Sequence, residues 1–153
     1  MAKFDDEIME FAPAGNDDST SGYPEGYEDD IINAVAGIGL DTEAGLKYSY
    51  GDKAFYVEIM GDYINEYADK STRLESYYEG NVYREYQVLV HSIKSTSRTI
   101  GATALSEEAK RLEDAAAEEN ASYIKEHHEP FMKEYAKLAG ELSAVMNKER
   151  ISG

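Results

Sequence analysis

Phosphoryl transfer to an imidazole needs a nucleophilic ring nitrogen, a cation to neutralise phosphate oxygens and an acceptor that fixes the ring tautomer. His91, Lys94 and Glu113 supply those three types in this chain. At about 100° per residue, Arg84, Gln87, His91, Lys94, Ser95 and Arg98 share one face of a helix. That face borders an apolar stripe without belonging to it, which places His91 within reach of a partner. Lys94 and Arg98 put positive charge beside the imidazole and would neutralise the oxygens of a transferring phosphoryl group. Ser95 keeps the adjacent surface low. Glu113 comes twenty-two residues after His91, on the helix that returns after a turn at Gly101, and can come back level with the ring. It is predicted to accept the Nδ1 proton and leave Nε2 outward as the phosphoryl acceptor. Lys110, one turn before Glu113, is placed to face the same site.

The elements that must position these residues are helical, with no strand alternation after Asp30. Ile31, Ile32, Val35, Ile38 and Leu40 form short apolar segments, and Asp41 is the N-cap of a short helix reaching Leu46 and Tyr48. Gly51-Asp52 opens a longer helix with Phe55, Tyr56, Ile59, Met60, Tyr63, Ile64 and Tyr67 at three-to-four spacing, and Glu79-Gly80-Asn81 ends it. The His91 helix runs from about Val82 to Thr99, burying Tyr86, Leu89, Val90, Ile93, Ser97 and Ile100. Gly101 stops it, and Thr103 caps a helix carrying Leu105, Ala109, Leu112, Ala115 and Ala116. Asn120 starts the last helix, whose stripe is Ile124, Phe131, Tyr135, Leu138, Leu142 and Met146; Pro130 should kink it or mark a fresh start. Short links between long amphipathic helices predict an all-α fold, an antiparallel up-down-up-down four-helix bundle with a short additional N-terminal helix.

A chain of 153 residues has room for one domain with a proper core. Its 13 tyrosines mostly fall on the helical stripes, where they fill core and rim. There are no cysteines, which excludes thiol catalysis and disulfide scaffolds. A formal charge of −16 opposes binding to nucleic acid or to an anionic membrane. No apolar run is long enough to span a bilayer and no signal peptide is evident, so a cytoplasmic location is expected. Residues 1–30 alone carry −9, with Pro13 and Pro24, and read as an acidic, largely disordered leader or interdomain linker; residues 31–149 form the bundle.

The stretch from Val90 to Glu113 resembles the signature of histidine-containing phosphotransfer (HPt) domains, found in phosphorelays and chemotaxis kinases. His91, Ile93, Lys94, Thr96, Ser97, Ile100, Gly101, Ala102, Leu105, Leu112 and Glu113 fall in its register. Gly45-Leu46-Lys47-Tyr48, Gly51-Asp52 and Tyr56 also look like the family's first two helices, so the likeness covers roughly residues 38–148. One position departs: the glycine usual after the lysine is Ser95, a side chain added where a receiver domain docks. The resemblance implies a phosphorelay intermediate that accepts a phosphoryl group on His91 from the aspartyl phosphate of a response-regulator receiver domain and passes it to another. It implies no metal or nucleotide cofactor of its own, Mg²⁺ being supplied by the receiver, and no kinase activity from ATP. Catalysis would fall to His91, Lys94 and Glu113, with Arg84, Gln87, Ser95, Arg98 and Lys110 docking the receiver or steadying the phosphate. A histidine kinase in the same parent chain, with this segment as the C-terminal module of a hybrid sensor kinase, is a further implied partner, and the bundle is expected to be a monomer.

Other clusters carry less chemistry. His127 and His128 are adjacent on a helix, point about 100° apart and cannot chelate a metal together, so they read as solvated or boundary histidines. Glu107-Glu108 and Glu118-Glu119 read as solvated faces. The competing function is a scaffold bundle that binds a receiver or kinase domain without being phosphorylated.

Overall fold

The structure, a computed structural model, describes residues 25–152, and every regular element among them is an α-helix. In chain order these are α1 (Tyr27–Gly37), α2 (Thr42–Tyr48), α3 (Lys53–Glu79), α4 (Tyr83–Thr99), α5 (Thr103–Ala117) and α6 (Ala121–Ser152). Among the described residues no helix is long and apolar enough to cross a membrane.

Local chemistry sets the helix ends. Asp41 accepts from the Ala44 amide at 3.1 Å, Asp52 from Phe55 at 3.0 Å and Asn120 from Tyr123 at 3.1 Å, each satisfying a donor that the first turn leaves without a helical partner. The C-termini of α1 to α5 all close in one way. A left-handed residue follows the cap, and two amides fold back on the last turn, as when Val82 N donates to Tyr77 O and Asn81 N to Tyr78 O. The left-handed positions are Gly39, Tyr50, Asn81, Gly101 and Glu119. Gly101 is constrained twice, because at φ +91 a Cβ would also meet the Asp41 carbonyl, and Asp41 N donates to Gly101 O at 2.8 Å.

Helices α3 to α6 form the bundle. Across α3 and α4, Tyr63 pairs with Ser97 and Lys70 with Ser92; across α4 and α5, Lys94 pairs with Ser106 and His91 with Glu113. Across α3 and α6, Tyr63 meets Tyr135 while Glu75 meets His128. In each pair one number rises as the other falls, so neighbours run antiparallel, as links of three residues require. Between them lies a core in which Tyr56, Tyr86, Tyr135, Phe131, Leu74, Ile93, Leu112 and Leu142 are fully buried. The tyrosine hydroxyls inside it are satisfied: Tyr56 donates to Ile100 O at 2.8 Å, and Tyr63 shares a 2.8 Å bond with Ser97 Oγ.

Three expectations are corrected. Two helices precede the bundle, not one. Their first begins at Tyr27, inside the segment read as an acidic leader, and residues 1–24 of that segment lie outside the described residues. Helix α1 was hidden because Gly26 caps it with no side-chain bond, although Tyr27, Ile31, Ile32 and Val35 form a buried stripe against α3 and α6. Ala102 rather than Thr103 is the N-cap of α5, and no side chain caps that helix. Helix α6 runs through Pro130 without a fresh start: Ile124, His128, Phe131 and Tyr135 bury one stripe across the proline, and that packing holds the helix where one amide is missing.

Candidate functional site

The seam between α4 and α5 holds the site, and these two helices make the most extensive contact of any pair. Small side chains let them approach: Ser95 on α4, and Ser106 and Ala109 on α5, are buried, and Ser106 Oγ donates to Lys94 O at 3.0 Å. The Gly101 turn brings α5 back so that Glu113 stands beside His91 and Lys94.

One carboxylate engages both partners. His91 Nδ1 lies 2.7 Å from Glu113 Oε2, and Lys94 Nζ lies 2.9 Å from Glu113 Oε1. The three side chains are 24%, 17% and 14% exposed for His91, Glu113 and Lys94, so water screens these contacts only in part. A carboxylate can only accept, hence the short contact puts the proton on Nδ1, and in the neutral ring the lone pair is on Nε2. The arrangement orients the imidazole and sets an ammonium one helical turn away.

The structure brings together His91, Lys94 and Glu113 as expected from the sequence, and separates others from them. Nε2 is not outward. It has almost no accessible surface and no hydrogen-bond partner, because the bond to Glu113 draws the ring into the α4–α5 seam. Ser95 is 6% exposed and does not lie on the open face, since it is one of the small residues on which α5 closes. Lys110 is exposed, but its ammonium is held by Asp114 at 3.2 Å rather than by the His91 cluster. Arg84 and Arg98 are exposed and have no ion-pair partner among the described residues, and Gln87 is half-buried.

Of the paired histidines of α6, read as solvated or boundary residues, His127 is at the boundary and His128 is not. His128 is 1% exposed and wedged among three helices: Nδ1 lies 2.9 Å from Tyr86 Oη, Nε2 lies 2.9 Å from Glu75 Oε1, and the ring stacks on Tyr78 at 3.8 Å. Glu75 only accepts, so Nε2 carries a proton and, in the neutral ring, Nδ1 accepts the Tyr86 hydroxyl. Burial pushes that hydroxyl well above the usual tyrosine range, and Tyr78 and Glu75 add to it, so Tyr86 stays a donor. His127 is half-buried and stacks on Tyr123 at 3.8 Å. The available signal was position: His128 lies four residues after Ile124 and three before Phe131, on the apolar stripe. Among the described residues no group of three or more His, Asp or Glu side chains is placed to hold a metal ion.

Comparison with known proteins gives one family match. The family model described as "Hpt domain" matches residues 58–147, more than half of the chain, beginning within α3 and ending in α6. Helices α1 and α2, including the Gly45-to-Tyr48 stretch, precede the matched region. No curated protein and no solved structure matches the chain.

Proposed function

The chain belongs to the Hpt domain family, whose place is in two-component phosphorelays, and on that premise we propose that His91 takes a phosphoryl group from the aspartyl phosphate of a receiver domain and returns it to another receiver. The observation that carries this reading is the single Glu113 carboxylate holding His91 Nδ1 at 2.7 Å and Lys94 Nζ at 2.9 Å. Nε2 attacks phosphorus, the bond from phosphorus to the aspartyl oxygen breaks, and the receiver's carboxylate leaves as an anion. The ring, now substituted on Nε2 and still protonated on Nδ1, gains positive charge that Glu113 stabilises. Lys94 is near enough to turn from Glu113 to the phosphoryl oxygens. The receiver brings the Mg²⁺ and its own acidic pocket, and the reverse sequence hands the group on. Because Nε2 is covered, the step begins with a ring rotation or a side-chain shift that uncovers it when the receiver docks.

The covered Nε2 also favours a second reading, a bundle that binds a receiver without accepting phosphate. One experiment separates the two. The protein is incubated with phosphorylated receivers and Mg²⁺, and acid-labile, base-stable phosphate is sought on it and on His91→Gln. Label on the wild type alone supports the relay. Binding without label on either protein leaves the scaffold.

A further inference from the structure

At the end of the bundle where α3 turns into α4, Tyr77, Tyr78, Tyr83 and Tyr86 converge on a pocket of about 280 Å³, bordered by Glu79 and by Lys125 of α6. That volume suits a small molecule, since sites for drug-sized ligands begin at about 300 Å³. Two of the rings are held from behind by His128: Tyr78 stacks on the imidazole at 3.8 Å with the planes 8° apart, and the Tyr86 hydroxyl donates to Nδ1 at 2.9 Å. His128 thus covers one face of Tyr78 and takes up the Tyr86 hydroxyl, and both rings are fixed before any ligand arrives. The charges around the pocket are of both signs, and the fold keeps them apart. Glu79 ends α3, where the carbonyl end of a 27-residue helix adds partial negative charge. Lys125 stands on α6, and the first turns of α4 and α6 add partial positive charge from their amide ends; Val82 gives α4 no side-chain cap. Glu79 and Lys125 are exposed and have no ion-pair partner among the described residues.

We propose that this pocket binds a small zwitterion with a methylated ammonium, a betaine, its cation against the tyrosine rings beside Glu79 and its carboxylate toward Lys125. Charge complementarity commits the site to that occupant. Aromatic faces are the negative part of the ring quadrupole and attract a cation without accepting a hydrogen bond in the ordinary sense, which suits a quaternary nitrogen that has no N–H to satisfy. A primary ammonium would leave donors unmet against the rings. A plain anion would face Glu79, and a plain cation would stand near Lys125 and leave that ammonium without a partner. Only a ligand carrying both charges answers both rims, and the acidic chain as a whole favours the approach of the cationic end. Binding involves no step at His91, so the site stands or falls apart from the phosphorelay.

Equilibrium dialysis of the full chain against labelled glycine betaine tests this, with three competitors that each lack one feature. 3,3-Dimethylbutanoate keeps the shape and the carboxylate but has no positive charge. Choline keeps the cation and carries a hydroxyl in place of the carboxylate, and glycine keeps both charges without the methyl groups. Betaine should bind saturably and at least fivefold more tightly than each of them. Tyr83→Leu retains apolar bulk at a half-buried position and removes the ring; it should weaken betaine about tenfold and bring it level with 3,3-dimethylbutanoate. Lys125→Gln should bring betaine level with choline, and Lys133→Gln, at another exposed position of α6, should change nothing. Circular dichroism checks that each variant is folded. Absence of saturable betaine binding overturns the site. 3,3-Dimethylbutanoate competing as strongly as betaine itself overturns the pairing of cation with rings, and choline doing so overturns the contact with Lys125. Wild-type affinity in both Tyr83→Leu and Lys125→Gln places the ligand elsewhere and removes the pocket.

Discussion

Replacing Glu113 by Gln removes one charge and no volume, and its effect can be worked from the contacts. The carboxylate accepts from Nδ1 of His91 at 2.7 Å and faces the Lys94 ammonium at 2.9 Å, in surroundings where all three side chains are at most 24% exposed. An amide offers one acceptor and one donor group, so it can satisfy His91 or Lys94 but not both, and its NH₂ then confronts the other. One charge-assisted hydrogen bond is lost at the stage where the ring becomes cationic. Such a bond contributes about 1.5–3 kcal/mol, which slows transfer by roughly 10- to 150-fold. Single-turnover transfer from a saturating phosphorylated receiver reads this directly, with circular dichroism to confirm the fold. The loss should appear in the rate at saturation and not in receiver KM, because Glu113 lies in the seam and not on the open face. Glu113→Gln transferring within twofold of wild type would refute the argument that this carboxylate steadies the charged ring.

Other expectations concern the scaffold. His128→Ala strands the buried Tyr86 hydroxyl and opens the space beside Tyr78; the cost is about 3–5 kcal/mol, and calorimetry should show Tm falling by roughly 6–20 °C. Glu119 is exposed with φ +54, so Glu119→Gly relieves left-handed strain and should raise stability by about 1 kcal/mol in urea titration. Gly101→Ala meets both the positive φ and the Asp41 carbonyl and should destabilise by more than 1 kcal/mol in the same titration. Asp62 titrates above the usual aspartate range because of desolvation and the neighbouring charges of Glu58 and Glu66. The folded state therefore holds its proton more tightly than the unfolded chain. Stability falls as pH rises from the ordinary aspartate pKa through the raised one, and Asp62→Asn should raise Tm at pH 7 but not at pH 3.

Much of the bundle was legible because the information is local. Asp41, Asp52 and Asn120 cap as their types demand, and the apolar stripes of α3 to α6 fall in the core. Glu113 could be paired with His91 because one glycine turn fixes the register of two straight helices. What escaped depends on the spacing between elements. Ser95 is buried because α5 comes close, and nothing in the order of residues around it states that distance. The same closeness draws the His91 ring inward and covers Nε2. His128 was read by its polarity, while its neighbours in space, Glu75, Tyr78 and Tyr86, come from two helices far along the chain. Helix α1 lacked a side-chain cap to announce it, and its acidic first turn blended with the residues before it.

The 22-residue separation between His91 and Glu113 bears on the order of assembly. Contacts this local close fast and at small cost in chain entropy, whereas the packing of α6 on α3 must wait for segments far apart in sequence. Every atom of the His91, Lys94 and Glu113 cluster comes from the α4–α5 hairpin, and α1, α2, α3 and α6 contribute none of it. During synthesis the hairpin emerges before α6 does, so the geometry of this cluster can be set while the bundle is still incomplete. The rest of the fold then stabilises a constellation whose register a single turn at Gly101 has already determined.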